Sequence, residues 1–220
     1  MTDLPALLDR LRTLQVSSVC DADKSLAVVD PAIRPLVPGV RLAGPAVTVV
    51  AHDDHLPLLV AIRAAAPGSV LVVATNGGTR AVSGELFATE ARRRGLAGIV
   101  VDGYCRDRAG LPAVGLPVYA RGTTPMAGTT LDAGRIDEPV TFGGVRVEAG
   151  DLVVGDDDGL VVGPAQRFAA AIPGAEEVER AEAALLAGMA EGRDLPGMTT
   201  LDAHLAALAD GKPSALGFTP

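Results

Sequence analysis

Two short runs with almost no polar residue constrain the fold more than any other feature of this chain. Ser69 to Ala74 reads SVLVVA, and Ala97 to Val101 reads AGIVV. Strands this apolar belong in a sheet that is covered on both faces. Between the runs lie a Gly-rich loop, Thr75-Asn76-Gly77-Gly78-Thr79, and a helical pattern from Gly84 to Arg94 that Gly95 closes. Strand, helix and strand make a βαβ unit, whose right-handed crossover predicts that both runs lie parallel in one sheet. Leu116 to Ala120 (LPVYA) reads as a third strand.

The flanks are less regular. Leucines at 4, 7, 8, 11 and 14 make one face of a helix. A Pro-rich connection follows (Pro31, Pro35, Pro38), then a strand at Ala46 to Val50 and a helix from Leu58 to Ala66 that Pro67-Gly68 stops. After Thr123-Thr124-Pro125 the pattern changes. Val140 to Phe142, Val145 to Val147, Asp151 to Val154 and Leu160 to Val162 are short strands between glycines, which predicts antiparallel hairpins or a small barrel-like layer. Glu176 to Ala190 predicts an amphipathic C-terminal helix spanning about 175–190. The tail from Gly192 has room for one short helix at Leu201 to Leu208. No linker or repeat divides the 220 residues. The expectation is one α/β domain over 1–220, with a parallel βαβ core and a β-rich C-terminal half.

Composition narrows the function. Net charge is −8 and aromatic residues are 3%, without Trp, so neither phosphate-backbone binding nor base stacking has support. Nucleic acid is not the expected partner. Cys20 and Cys105 are too few and too far apart for a disulfide framework or a zinc site. The N-terminus lacks a basic signal-peptide region, and the richest apolar stretch, Leu56 to Ala66, contains Arg63. The expected protein is cytoplasmic and makes no membrane contact.

In open α/β sheets, ligands gather at the carboxyl ends of the parallel strands. Two loops should meet there: Thr75 to Gly84, which opens the helix near Glu85, and Asp102 to Asp107. The backbone N–H groups of Leu86 and Phe87, in the first helical turn, have no intrahelical acceptor and suit a carboxylate. Arg106 can close on the same carboxylate with a forked hydrogen bond. Asp107 offers oxygen ligands to Mg²⁺ or Mn²⁺, which take one or two carboxylates and keep waters, one of which Glu85 would orient. The same residues also have plain readings. An adjacent Arg-Asp pair is an ordinary solvated ion pair, and a first-turn Glu is an ordinary dipole partner.

Other candidates read as structure. His52, Asp53, Asp54 and His55 lack a third spaced ligand and make a polar loop. His204 reads as surface, Cys105 as a packing thiol, and Gly155 to Gly159 (GDDDG) as a hairpin turn. The only lysines, Lys24 and Lys212, lie outside the strand-end loops. Schiff-base chemistry is therefore not expected, and carbonyl activation would fall to a metal.

The stretch Gly84-Glu85-Leu86-Phe87-Ala88 and the run from Arg94 to Asp107 (RGLAGIVVDGYCRD) resemble the RraA-like family. So do RLAGPAVT at 41–48, APGSVLVV at 66–73, ARGTTP at 120–125 and GDLVVGDDDG at 150–159. That family includes the class II 4-hydroxy-4-methyl-2-oxoglutarate/4-carboxy-4-hydroxy-2-oxoadipate aldolases. The resemblance implies a swivelling β/β/α fold, a homotrimer or homohexamer, and sites at subunit boundaries. It further implies that the amides of Leu86 and Phe87, with Arg106, hold a pyruvyl carboxylate. Asp107 would bind the divalent metal, Glu85 would hold a metal-bound water, and Glu182 would enter from a neighbouring subunit. Two positions depart from the family pattern: Gly110 stands where an acid is usual, and Ala74 where the strand often ends in Asp. The implied activity is a metal-dependent carbon–carbon lyase on 2-oxo acids that releases pyruvate and also decarboxylates oxaloacetate. The alternative is a non-catalytic regulator that binds a ribonuclease E-type protein.

Overall fold

The computed structural model describes residues 3–219. Helix α1 (Leu4–Leu11) begins at Asp3, whose carboxylate accepts the Ala6 N–H, and α2 (Val16–Ala22) follows. The two-residue strands β1 (Ala27–Val28) and β2 (Arg34–Pro35) come next. The central alternation is β3 (Leu42–Val50), α3 (Leu56–Ala64), β4 (Val70–Ala74), β5 (Ala81–Ser83), α4 (Glu85–Arg93), β6 (Gly98–Cys105), α5 (Leu111–Val114) and β7 (Val118–Thr123). The second half adds β8 (Arg135–Ile136), β9 (Val140–Phe142), β10 (Val145–Val147), β11 (Leu152–Asp156) and β12 (Gly159–Gly163). Helices α6 (Ala165–Ala190) and α7 (Leu201–Ala209) complete the described chain.

Ten strands form one mixed sheet in the order β1-β12-β11-β3-β4-β6-β7-β2, with β5 added to β6 and β8 to β3. Strands β3, β4, β6 and β7 are parallel neighbours, and the β4–β6 pairing is the one the two apolar runs predict. The β11–β12 hairpin joins the same sheet, because β11 pairs antiparallel with β3. Hairpin β9–β10 forms a separate two-stranded sheet.

Period-two alternation sets the layers. Leu71 and Val73 of β4, with Ile99 and Val101 of β6, pack on the face covered by α3, α4 and α5. Val70, Val72 and Val100 point the other way, onto Val140, Phe142 and Val147 of the hairpin. The order hairpin, sheet, helices is the β/β/α arrangement. A third cluster packs α1, α2 and α6 over β11 and β12, with Leu11, Val19, Phe168 and Ile172 at its centre. Each fully buried side chain of this size contributes about 1.5–3 kcal/mol relative to exposure.

Three of the boundaries that differ from those expected are informative. The loop expected over Thr75 to Gly84 contains β5, which pairs with β6 through Ala81 and Tyr104. Strand β6 continues through Asp102 and Gly103 to Cys105, so its loop starts at Arg106. Asp102 stays extended by pairing with Ala74 of β4, and Tyr104 and Cys105 by pairing with β5 on one side and β7 on the other. The C-terminal helix starts at Ala165, well before 175, and runs through Pro173. A proline removes one donor and strains the preceding turn. Here Phe168, Ala171 and Ile172 are buried, and Gly174 lies against Ala22, so packing on α2 outweighs the local break. Among the described residues, no helix is long and apolar enough to cross a membrane.

Candidate functional site

The ends of β6 and β7 and the start of α4 meet at one edge of the sheet. The Arg106 N–H donates to the Ser83 carbonyl at 3.0 Å, which ties the loop after β6 to β5. Asp107 follows in left-handed backbone at φ 59°, a region that aspartate tolerates better than most side chains. Its Oδ2 accepts from the Glu85 N–H at 3.4 Å and from Arg106 Nε at 3.2 Å. Asp107 therefore acts as the acceptor that the helix start lacks, since Gly84 at the N-cap has no side chain. The N–H groups of Leu86 and Phe87 find no acceptor among the described residues. They remain open to an anion, as the sequence predicts.

Steric room at two glycines lets both acids lie here. A Cβ on Gly84 would stand 2.6 Å from Asp107 Oδ2 and 2.9 Å from Arg106 Cγ. A Cβ on Gly110 would collide with the Glu85 carboxylate, which lies over that residue. The space above position 110 is filled by a carboxylate reaching across from α4.

A cleft of about 350 Å³ opens beside this turn, lined by Arg106, Asp107, Arg108, Thr123, Thr124 and Pro125. Parallel pairing of Cys105 with Thr123, and the Thr124 N–H bonded to the Cys105 carbonyl at 2.9 Å, bring the threonines alongside the arginines. The sequence reading assigned no role to Arg108, Thr123 or Thr124. The signal that could have found them is strand register, which puts the carboxyl ends of β6 and β7 side by side.

The donors present fit a hard divalent cation. Asp107 offers carboxylate oxygens beside the start of α4, Glu85 adds an acid in the first helical turn that can hold a water, and Mg²⁺ takes one or two carboxylates and completes its shell with water. Among the described residues, no three His, Cys, Asp or Glu side chains converge on a ready-made cage.

The remaining candidates are structural. His52 Nδ1 lies 2.7 Å from the Thr75 carbonyl, and Asp53 Oδ1 accepts the N–H groups of Thr79 and Arg80 at 2.7 Å each. Asp54 is buried. Burial pushes its carboxyl up, but hydrogen bonds from the Thr129 hydroxyl and from the N–H groups of Leu131, Leu56 and Asp132 outweigh that and bring it to about 2. Burial pushes the Cys105 thiol up to about 12, so it packs and does not react as a thiolate near neutrality. In the acidic turn, Asp156 accepts the Val16 N–H at 2.9 Å and the Asp158 N–H at 2.9 Å. Asp102 is held by Arg121 Nε at 2.5 Å and the Gly143 N–H at 2.8 Å, away from the cleft. Below the Gly-rich loop, where Ala74 brings no polar group, Thr75 Oγ1 donates to the Asp102 carbonyl at 2.6 Å. Glu182 is exposed on α6, whose packing is against α1 and α2, so this chain does not bring it to its own cleft. Lys24 pairs with Asp21 and Lys212 with Asp210, so neither serves the site.

The pattern of the RraA-like family, described as Aldolase/RraA, matches residues 16–162. A Halalkalibacterium halodurans protein named "Putative 4-hydroxy-4-methyl-2-oxoglutarate aldolase" is 39% identical over 71% of this chain and 76% of its own length. An uncharacterized Pseudomonas syringae protein superposes with TM-score 0.76 at 28% identity, over 88% of this chain and 96% of that one. The RNA-processing inhibitor RraA from Thermus thermophilis superposes with TM-score 0.64 at 27% identity, over 68% of this chain and 92% of that one.

Proposed function

Because this chain belongs to the RraA-like (Aldolase/RraA) family, we propose that it is a divalent-metal-dependent carbon–carbon lyase that releases pyruvate from 2-oxo acids. The observation that carries this reading is the convergence of Arg106, Asp107 and the open N–H groups of Leu86 and Phe87 at one helix start. The names of its aldolase relatives support it.

Leu86 and Phe87 N–H and the free end of the Arg106 guanidinium hold the substrate carboxylate. Asp107 is the residue that would hold Mg²⁺ or Mn²⁺, which when bound draws electron density from the 2-oxo group as a Lewis acid. The C4 hydroxyl loses its proton through a water that the Glu85 carboxylate orients. The C3–C4 bond then breaks, its electron pair passes into the C2–C3 enolate, and C4 leaves as a carbonyl. Arg106 stabilises the charge that develops at the pyruvyl end. Protonation at C3 completes pyruvate. Oxaloacetate reaches the same enolate by losing CO₂ and needs no base for a C4 hydroxyl. We further propose that the active form is a homotrimer or homohexamer in which Glu182 of one protomer faces the cleft of another.

The test is pyruvate release from oxaloacetate and from a panel of 4-hydroxy-2-oxo acids, with and without Mg²⁺ or Mn²⁺. EDTA should abolish turnover and added metal should restore it. Arg106→Ala should lower kcat/KM by about 10²–10³, the usual loss for one donor to a developing oxyanion. Turnover indifferent to both changes would reject the lyase reading. A second reading, a regulator of a ribonuclease E-type protein, draws on the likeness to the Thermus inhibitor. Tight retention of such a partner with no metal-stimulated pyruvate release would favour it.

A further inference from the structure

Arg108 is the one cleft residue whose charge the protein leaves unused. It is exposed, lines the cleft with Arg106 and Asp107, and makes no hydrogen bond or ion pair among the described residues. Several other arginines of this fold are committed. Arg92 and Arg94 donate to the carbonyls of Gly115 and Arg63, and Arg121 bridges Asp30 and Asp102. Arg106 is partly committed as well, through Nε, to Asp107. The cleft lining therefore carries two guanidinium groups against one carboxylate, in a chain whose net charge is −8. Local charge opposite to that of the whole molecule draws an anionic ligand and orients it. The hydroxyls of Thr123 and Thr124, which also have no partner among the described residues, stand in the same lining as further donors.

We propose that Arg108 is a specificity-determining residue that binds a second carboxylate, at the far end of the 2-oxo acid. This rests on reading the cleft as a 2-oxo acid site and deepens it. Arg106 and the start of α4 take the near carboxylate, and the two-residue step to Arg108 leaves a second planar fork free for the distal group. Arginine suits this role because its fixed fork matches both oxygens of a carboxylate. Arg108 is then the residue that makes this cleft prefer a 2-oxo dicarboxylic acid, such as oxaloacetate, over the monocarboxylic acid of equal chain length.

The experiment is a calorimetric titration, in the presence of Mg²⁺, of the full-length protein with two ligands that cannot undergo the aldol cleavage, 2-oxoglutarate and 2-oxopentanoate. The wild type should bind 2-oxoglutarate roughly 10–100-fold more tightly, the range expected of a charge-assisted pair. In Arg108→Gln the ratio of the two dissociation constants should collapse to about one. Because Arg108 is exposed and without partners among the described residues, the variant is expected to fold, which circular dichroism checks. Equal binding of the two ligands by the wild type, or an undiminished ratio in Arg108→Gln, overturns the proposal. Failure of the wild type to bind either oxo acid overturns it together with the 2-oxo acid reading. Pyruvate release is measured in parallel on the wild type: its absence alone rejects the lyase reading, while the binding ratio still decides the role of Arg108.

Discussion

Gly84 and Gly110 act through what they omit. Gly110 sits at φ −84°, a backbone conformation open to any residue, so alanine there brings no backbone strain. Its methyl group would nevertheless enter the space held by the Glu85 carboxylate. Glu85 is exposed and flexible, so it can move aside at small cost. Gly110→Ala should therefore change unfolding free energy by less than about 1 kcal/mol and lower kcat by roughly tenfold or more, as expected when a proton-transfer group loses its position. Urea unfolding and steady-state pyruvate release measure the two effects. A variant with wild-type kcat would show that the carboxylate need not lie over position 110. The motif residues themselves were readable as letters: Glu85, Arg106 and Asp107 stand where a helix start and a strand end were expected. Their mutual contact was not readable, because it depends on the left-handed turn at Asp107 and on two missing side chains.

Elements are joined by buried polar anchors that hydrophobic periodicity does not register. Asp54 is the clearest. It is 3% exposed, and it gathers the start of α3 and the segment from Thr129 to Asp132 onto one carboxylate. Its carboxyl lies at about 2, below the ordinary 3.8 of the unfolded chain. A group whose folded value is depressed contributes stability above the unfolded value and loses it as pH falls through the folded one. Asp54 should therefore supply about 1–2 kcal/mol above pH 4 that drains away as pH approaches 2. Asp54→Asn removes the charge and opposes an NH₂ group to donors, for a cost of about 1–3 kcal/mol near neutrality. Denaturant titrations from pH 6 to pH 2 should show the two proteins converging as the acid is protonated. A constant gap would contradict the assignment. The same limit explains α6: Pro173-Gly174 is a local stop signal, and the buried face formed by Phe168, Ala171, Ile172 and Ala175 overrides it.

At the scale of the whole molecule, the chain leaves apolar side chains uncovered at several places. Leu86 is 74% exposed, Leu131 87%, Leu186 66% and Leu205 53%. Exposed apolar groups of this size suit contact with further copies of the chain. Light scattering should give a mass three or six times 22.3 kDa, and a 22.3 kDa particle would sink the proposed assembly and the role of Glu182 with it. The alternation of strand and helix, the parallel pairing of β4 with β6, and the position of Glu85 at a helix start near the end of β6 all followed from the sequence. Doubly apolar runs can be buried in few other ways, and such local patterning survives folding intact. Only tertiary structure decided that β11 and β12 extend the central sheet, that β6 runs on past Asp102, and that Arg108 shares a cleft with Thr123 and Thr124. Those outcomes rest on pairing between segments distant in the chain, whose register is set by packing and backbone hydrogen bonds that no short stretch of residues contains.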